Sequence, residues 1–229
     1  MAVIVDSKVG EGLKFRVYEA SKQRVKKKQK SSSEVRKSCL YQDPLGILLE
    51  GGLDSYAQRL IEARKESLSK INSLVSDNQE VANLLGNPEF DGDVIYQDEC
   101  RTFGQRLREN PEEYKRIIED VIELTKECWK YGFADRTYNF TVNYGYNKEN
   151  QPVLIDFDEL TFSKERISED IIQGRWKTQM SGLWEIPLIE IWKFLEEFKR
   201  YSMREYYFQR MEEELNQAAL DDLWRSELD

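Results

Sequence analysis

The chain contains no histidine among its 229 residues. That absence removes Ser-His-Asp and Cys-His nucleophilic sites, histidine-ligated zinc, and imidazole as a general base. Cysteine is scarce as well. Cys39, Cys100 and Cys128 are odd in number and far apart, so they imply neither a disulfide framework nor a zinc cluster. No apolar run approaches the roughly 18 residues that a membrane span needs, and the opening MAVIVDSKVGEG lacks the flanks of a signal peptide. A cytoplasmic protein with no membrane partner is expected. Its chemistry must run on carboxylates, Lys, Tyr or oxygen-ligated metal, a menu that suits magnesium and phosphates.

What the chain does have is enough apolar material for one large domain or two small lobes, 40% hydrophobic and 12% aromatic. Its net charge of −9 disfavours general nucleic-acid binding, which needs a basic face to neutralise phosphates. Period-two alternation predicts strands over AVIVDSKV, KFRVYEA and RVKKK, with Val9-Gly10-Glu11-Gly12 between the first two. Residues 31–52 mix a short helical signal with Pro and Gly and receive no firm assignment. Asp54 is read as the N-cap of a long helix over 54–75, on which Ala57, Leu60, Ile61, Leu68, Ile71 and Val75 recur at helical spacing. Residues 86–93 form a hairpin or loop leading into the strand DVIYQDE.

Asn110-Pro111-Glu112-Glu113 spells the start of a second long helix, with cap, first-turn proline and first-turn acids. Tyr114, Ile117, Ile118, Val121, Ile122, Thr125, Cys128 and Trp129 line one face, and Gly132 ends it. Helices are predicted over 164–173, 186–202 and 203–226, where Trp176, Trp184, Trp192, Phe194, Phe198 and Tyr206 read as helical core. The class is α+β, with a small sheet lobe (1–100), a helical lobe (101–229), and a cleft expected between them.

The stretch GFADRTYNFTVNYGYNKENQPVLIDFDEL, residues 132–160, carries the chemistry. It is read as a hairpin with Asp135 and Asn139 at its mouth and Asp156 and Asp158 at the end of its second strand. Phosphoryl transfer needs this kind of set. One acid orients the attacking hydroxyl, while an amide oxygen and a second acid hold Mg²⁺ on the phosphates.

On these residues the chain resembles the protein-kinase-like superfamily in its reduced bacterial and small-molecule-kinase versions. The resemblance implies a two-lobed fold, ATP and Mg²⁺ as cofactors, and transfer of the γ-phosphate to a hydroxyl on a small molecule or protein. It implies Asp135 as base or orienter, and Asn139, Asp156 and Asp158 as metal-side residues, with Asn143 as a fallback ligand. Gly10 and Gly12 would approach the phosphates, and Lys27 (or Lys28, one register away) would clamp them. Glu62 or Glu66 would hold that lysine, Glu50 being less suited. Asp98 and Cys100 would lie at the hinge beside the adenine. The chain departs from the family in lacking a third glycine, in reading Gly132-Phe133-Ala134 before Asp135, and in spacing Asn139 one residue closer to Asp135. Asp158 stands where the family has glycine.

Two further readings stay open. The same fold could serve as a pseudokinase, a nucleotide-sensing or protein-binding module. Alternatively, Asp135, Asp156, Asp158 and Glu159 could form a metal-dependent nuclease site, against which the acidic balance counts.

Overall fold

Alternating side chains set up the first sheet. The computed structural model describes residues 8–11, 14–20, 24–42, 44–177 and 203–225. The chain divides into two compact units, Met1–Glu99 and Cys100–Asp229. It is mixed α+β, and every sheet is antiparallel. Among the described residues, no helix is long and apolar enough to cross a membrane.

In the first unit, β1 (Lys8–Glu11), β2 (Phe15–Ala20), β3 (Arg24–Gln29), β4 (Glu89–Asp91) and β5 (Val94–Asp98) form one sheet in the order β1-β2-β3-β5-β4. Lys27 lies opposite Val17 on β2 and Ile95 on β5. It is only 7% exposed, whereas Lys28 faces solvent. The period-two pleat thus assigns Lys27 the inward position.

Residues 31–52, left unassigned from sequence, form α1 (Ser32–Gln42) and α2 (Pro44–Leu49). The start of α1 is a capping box. Ser31 N–H donates to Glu34 at 2.9 Å, and Glu34 N–H returns a bond to the Ser31 hydroxyl at 3.4 Å. Val35 and Cys39, one turn apart, then pack with Tyr56, Ala57, Leu60 and Ile61 of α3 (Leu53–Asp77). Asp54 is not the cap of α3. Gly52 holds that position, and Asp54 sits in the first turn paired with Arg36 at 3.2 Å. Arg64 on the buried stripe of α3 donates to the carbonyls of Lys14 (3.3 Å) and Lys30 (3.1 Å), fastening the helix to strand ends. A short α4 (Gln79–Leu84) is capped by Asn78 and precedes β4.

The second unit opens with β6 (Arg101–Thr102) and α5 (Phe103–Glu109), the latter capped reciprocally by Thr102 and Gln105. A 3-10 turn (Pro111–Glu113) leads into α6 (Tyr114–Lys130), so the helix proper starts three residues after Pro111. Ile117, Ile118, Val121, Ile122, Leu124, Thr125, Cys128 and Trp129 of α6 are buried. Each such aliphatic side chain contributes roughly 1.5–3 kcal/mol by leaving water, which makes α6 the spine on which the site is built.

Then come β7 (Ala134–Asp135), α7 (Phe140–Asn143), β8 (Tyr144–Tyr146), β9 (Pro152–Leu154) and β10 (Leu160–Thr161). The hairpin is β8–β9, and β6 joins it as a third strand. β7 belongs to a separate two-stranded sheet with β10, Asp135 lying opposite Leu160. In β8, Gly145 lets neighbours approach closely. A Cβ there would lie 2.5 Å from the Arg101 carbonyl oxygen and 2.6 Å from Ile155 Cδ1.

The helical remainder is α8 (Lys164–Gln173), a 3-10 turn (Arg175–Lys177), α9 (Met203–Glu214) and α10 (Gln217–Leu223). The single helix expected over 203–226 is broken at Leu215-Asn216, because the Asn216 side chain accepts from Ala219 N–H at 3.0 Å and starts a new helix. Trp176 is buried, as its core reading requires. The helix expected over 186–202, with Trp192, Phe194 and Phe198, lies outside the described residues, as does Trp184 before it.

Candidate active site

Asp135 is delivered by the turn that ends α6. Gly132 takes φ 71°, a conformation that side chains oppose, and the chain reverses into β7. The carboxyl group is 3% exposed and accepts three hydrogen bonds. Thr137 gives two to Oδ1, from its N–H at 2.8 Å and its hydroxyl at 2.7 Å; Asn143 Nδ2 gives one to Oδ2 at 3.1 Å. Burial pushes the Asp135 pKa up to about 6 against these bonds, and the nearby charge of Asp156 adds to the rise.

Asn143, the fallback ligand of the sequence reading, is the asparagine that reaches Asp135. It stands at the end of α7, and the one turn of helix closes the distance from Asp135. Its Nδ2 also bonds the Thr137 hydroxyl at 2.7 Å. Its carbonyl accepts from the N–H of Ile155 (2.6 Å) and Asp156 (3.2 Å), just past the end of β9. One residue therefore grips Asp135 by its side chain and Asp156 by its backbone. Asn139 is placed differently: its side chain accepts from Thr141 at 3.2 Å, and its carbonyl accepts from the N–H groups of Val142 and Asn143. Of the two asparagines, it is Asn143 whose side chain meets Asp135.

Asp156 is half-buried, and among the described residues its carboxylate takes part in no hydrogen bond or ion pair. Both donor hydrogens of the Asn143 amide are directed at Asp135 and Thr137, and its oxygen Oδ1 accepts from no described group. Two oxygen atoms of the kind magnesium takes are thus unengaged on residues joined by a backbone hydrogen bond. Magnesium needs only one or two protein oxygens when phosphates and water complete its shell, so the residues fit it. Asp158 is buried at 5%. Among the described residues no three acidic or thiol side chains converge as a metal-binding group. The four-acid nuclease arrangement is therefore not assembled.

Sequence reasoning missed Thr137, Arg136 and Asp170. Arg136 makes a forked ion pair to Asp170 of α8, Nε at 2.8 Å and Nη2 at 2.7 Å. The Asp-x-Thr spacing, an acid that bonds the backbone two residues on, was the available signal for Thr137. Arg136 and Asp170 are 34 residues apart, and no local pattern links them.

The residues assigned in the first unit fare unevenly. Gly10 lies within β1, paired with Val17 beside a register irregularity, and not in a turn. Gly12 lies outside the described residues. Glu62 is exposed and accepts from Gln58 at 2.6 Å; Glu66 is exposed and pairs with Lys70 at 3.0 Å. Both acids are engaged along their own helix face instead of holding Lys27. Asp98 ends β5, where its carboxylate accepts from Asn87 at 2.7 Å and stands 3.7 Å from Arg24. Cys100 is half-buried at the first position of the second unit. No family model matches the chain, and no curated protein matches it.

Proposed function

We propose that this protein is an ATP- and Mg²⁺-dependent phosphotransferase of kinase-like type that moves the γ-phosphoryl group to a hydroxyl acceptor. The observation that carries the reading is the chain Asp135–Asn143–Asp156: a buried acid with a raised pKa, an amide that orients it, and, just past the end of β9, a carboxylate without a partner among the described residues. Asp135 suits proton acceptance from an alcohol, since a base works best with a pKa near the working pH. Among the described residues its Oδ2 accepts one bond and retains a lone pair for that proton. Thr137 and Asn143 fix the carboxylate plane, so the acceptor hydroxyl meets a preset direction. Asp156 and the Asn143 oxygen would hold the magnesium ion, which when bound neutralises charge developing on the phosphates. Lys27 keeps its proposed phosphate role, supported by its inward position on β3 and by the resemblance. A kinase-like fold is part of this proposal.

The pseudokinase reading has its own support. Asp135 already accepts three hydrogen bonds and is almost wholly buried, which is what a structural acid also looks like. One experiment separates the two. Mg-ATP should raise the melting temperature by mass action, whereas AMP or magnesium alone should not. Labelled γ-phosphate should then move to water, to the protein or to an acceptor panel. Stabilisation without any transfer leaves the pseudokinase; no stabilisation removes both readings.

A further inference from the structure

Along the loop that follows β7, side chains alternate in purpose. Asp135 and Thr137 bond each other and Asn143. Arg136 and Tyr138 turn to a different partner, the segment formed by α8 and the 3-10 turn after it. Asp170 on α8 is 1% exposed and accepts both prongs of the Arg136 fork, with Arg175 Nη1 adding a third bond at 3.2 Å. Tyr138 has φ 50°, and its ring packs edge-on to buried Trp176 at 6.1 Å between centroids. A bulky residue keeps such a backbone only where its surroundings over-determine it. Both sides of Thr137 are therefore fastened to one short stretch of chain.

From this juxtaposition we infer that Asp170 is a positioning residue for Asp135. Through the Arg136 fork it holds the loop in the form in which Thr137 and Asn143 meet the Asp135 carboxylate, and the Tyr138–Trp176 contact is the second arm of the brace. Only a guanidinium can make the two-pronged contact with fixed geometry; a lysine in its place keeps the charge and loses the fork. The consequence for turnover rests on the phosphotransferase reading. The consequence for the loop does not.

The test uses Arg136→Gln in the full chain, because Asp170 then keeps Arg175 as partner and the buried acid is not stranded. Hydrogen exchange is followed at the amides of residues 134–143 and, as internal reference, of α6. Exchange in the loop should quicken at least tenfold while α6 is unchanged, with Arg136→Lys falling between wild type and Gln. An exposed change on α8, Arg166→Gln, should leave the loop as it is. If wild type transfers phosphate, kcat should fall at least tenfold in Arg136→Gln with Mg-ATP affinity within twofold. Unchanged loop exchange overturns the inference, as does quickening that spreads equally to α6. If wild type shows no transfer, the phosphotransferase reading fails and the exchange result alone decides the brace.

Discussion

Asn143 and Asp135 are joined side chain to side chain, Nδ2 to Oδ2 at 3.1 Å, across eight positions of sequence and one turn of helix. Because Asn143 also holds Ile155 and Asp156 through its carbonyl, the two acids of the site share a single intermediary.

Replacing that intermediary should be felt twice. Asn143→Ala leaves a buried carboxylate short of a donor, a loss of about 1–3 kcal/mol in unfolding free energy. It also removes the amide oxygen proposed for magnesium. Denaturant titration should register the first effect, and Mg-dependent nucleotide binding the second. Asn139→Ala should change both far less, since among the described residues its side chain bonds only the Thr141 hydroxyl two positions on. Equal effects from the two substitutions would restore Asn139 as the ligand.

Asp135 makes a pH prediction with a definite sign. Burial holds its folded pKa at about 6, above the ordinary aspartate value of 3.8, so the folded protein binds the extra proton between those values. Unfolding free energy should therefore fall as pH rises through that window, by up to about 3 kcal/mol, and the loss is complete above about pH 6. Asp135→Asn should remove this slope, which urea titrations of both proteins from pH 4 to 7 would reveal. Turnover runs the other way, because the ionised carboxylate is the base. It should climb as pH passes about 6, and Asp135→Asn should lower it by roughly two orders of magnitude or more with Mg-ATP affinity nearly unchanged. Asp156→Asn should weaken both.

For the lysines, register decides the outcome. Lys27→Met keeps the buried stem on the inward face of β3 and deletes the charge, so nucleotide affinity should drop at least tenfold while the fold survives. Lys28→Ala, on the exposed face, should leave affinity intact. The reverse result, measured by calorimetry, would mean that the phosphate contact lies on the outer face of the strand.

The long apolar patterns were readable from sequence, because burial imposes its period on the residues directly. The stripe of α6 from Ile117 to Trp129 and that of α3 from Ala57 to Ile71 are both buried. Local chemistry was readable where it was spelled in full, as at Pro111, and overlooked at Ser31-Ser32-Ser33-Glu34, whose capping box starts α1. Asp54 misled because a good cap residue beside a glycine pair is not at the cap when Gly52, at φ 132°, supplies a positive-φ entry that only glycine takes readily. The bond from Asn143 to Asp135 was hidden for a different reason. Spacing along the chain does not reveal that residues 140–143 coil into a helical turn, and that turn brings the Asn143 side chain to Asp135. The Arg136–Asp170 fork is a contact made only by folding, so no window of sequence contains it.

Gly145 carries no chemistry, yet its missing side chain has a long reach. The space that a methyl group would need there is held by the Arg101 carbonyl of β6 and by the side chain of Ile155, just past the end of β9, and Ile155 is the residue before Asp156. Any larger residue must displace β6 or the strand end that carries the unpaired acid, at a cost of about 1–3 kcal/mol for the overpacking alone. In a saturation scan, position 145 should therefore tolerate substitution as poorly as position 135. A reader of that scan alone would place a functional group where the protein keeps only a hydrogen atom.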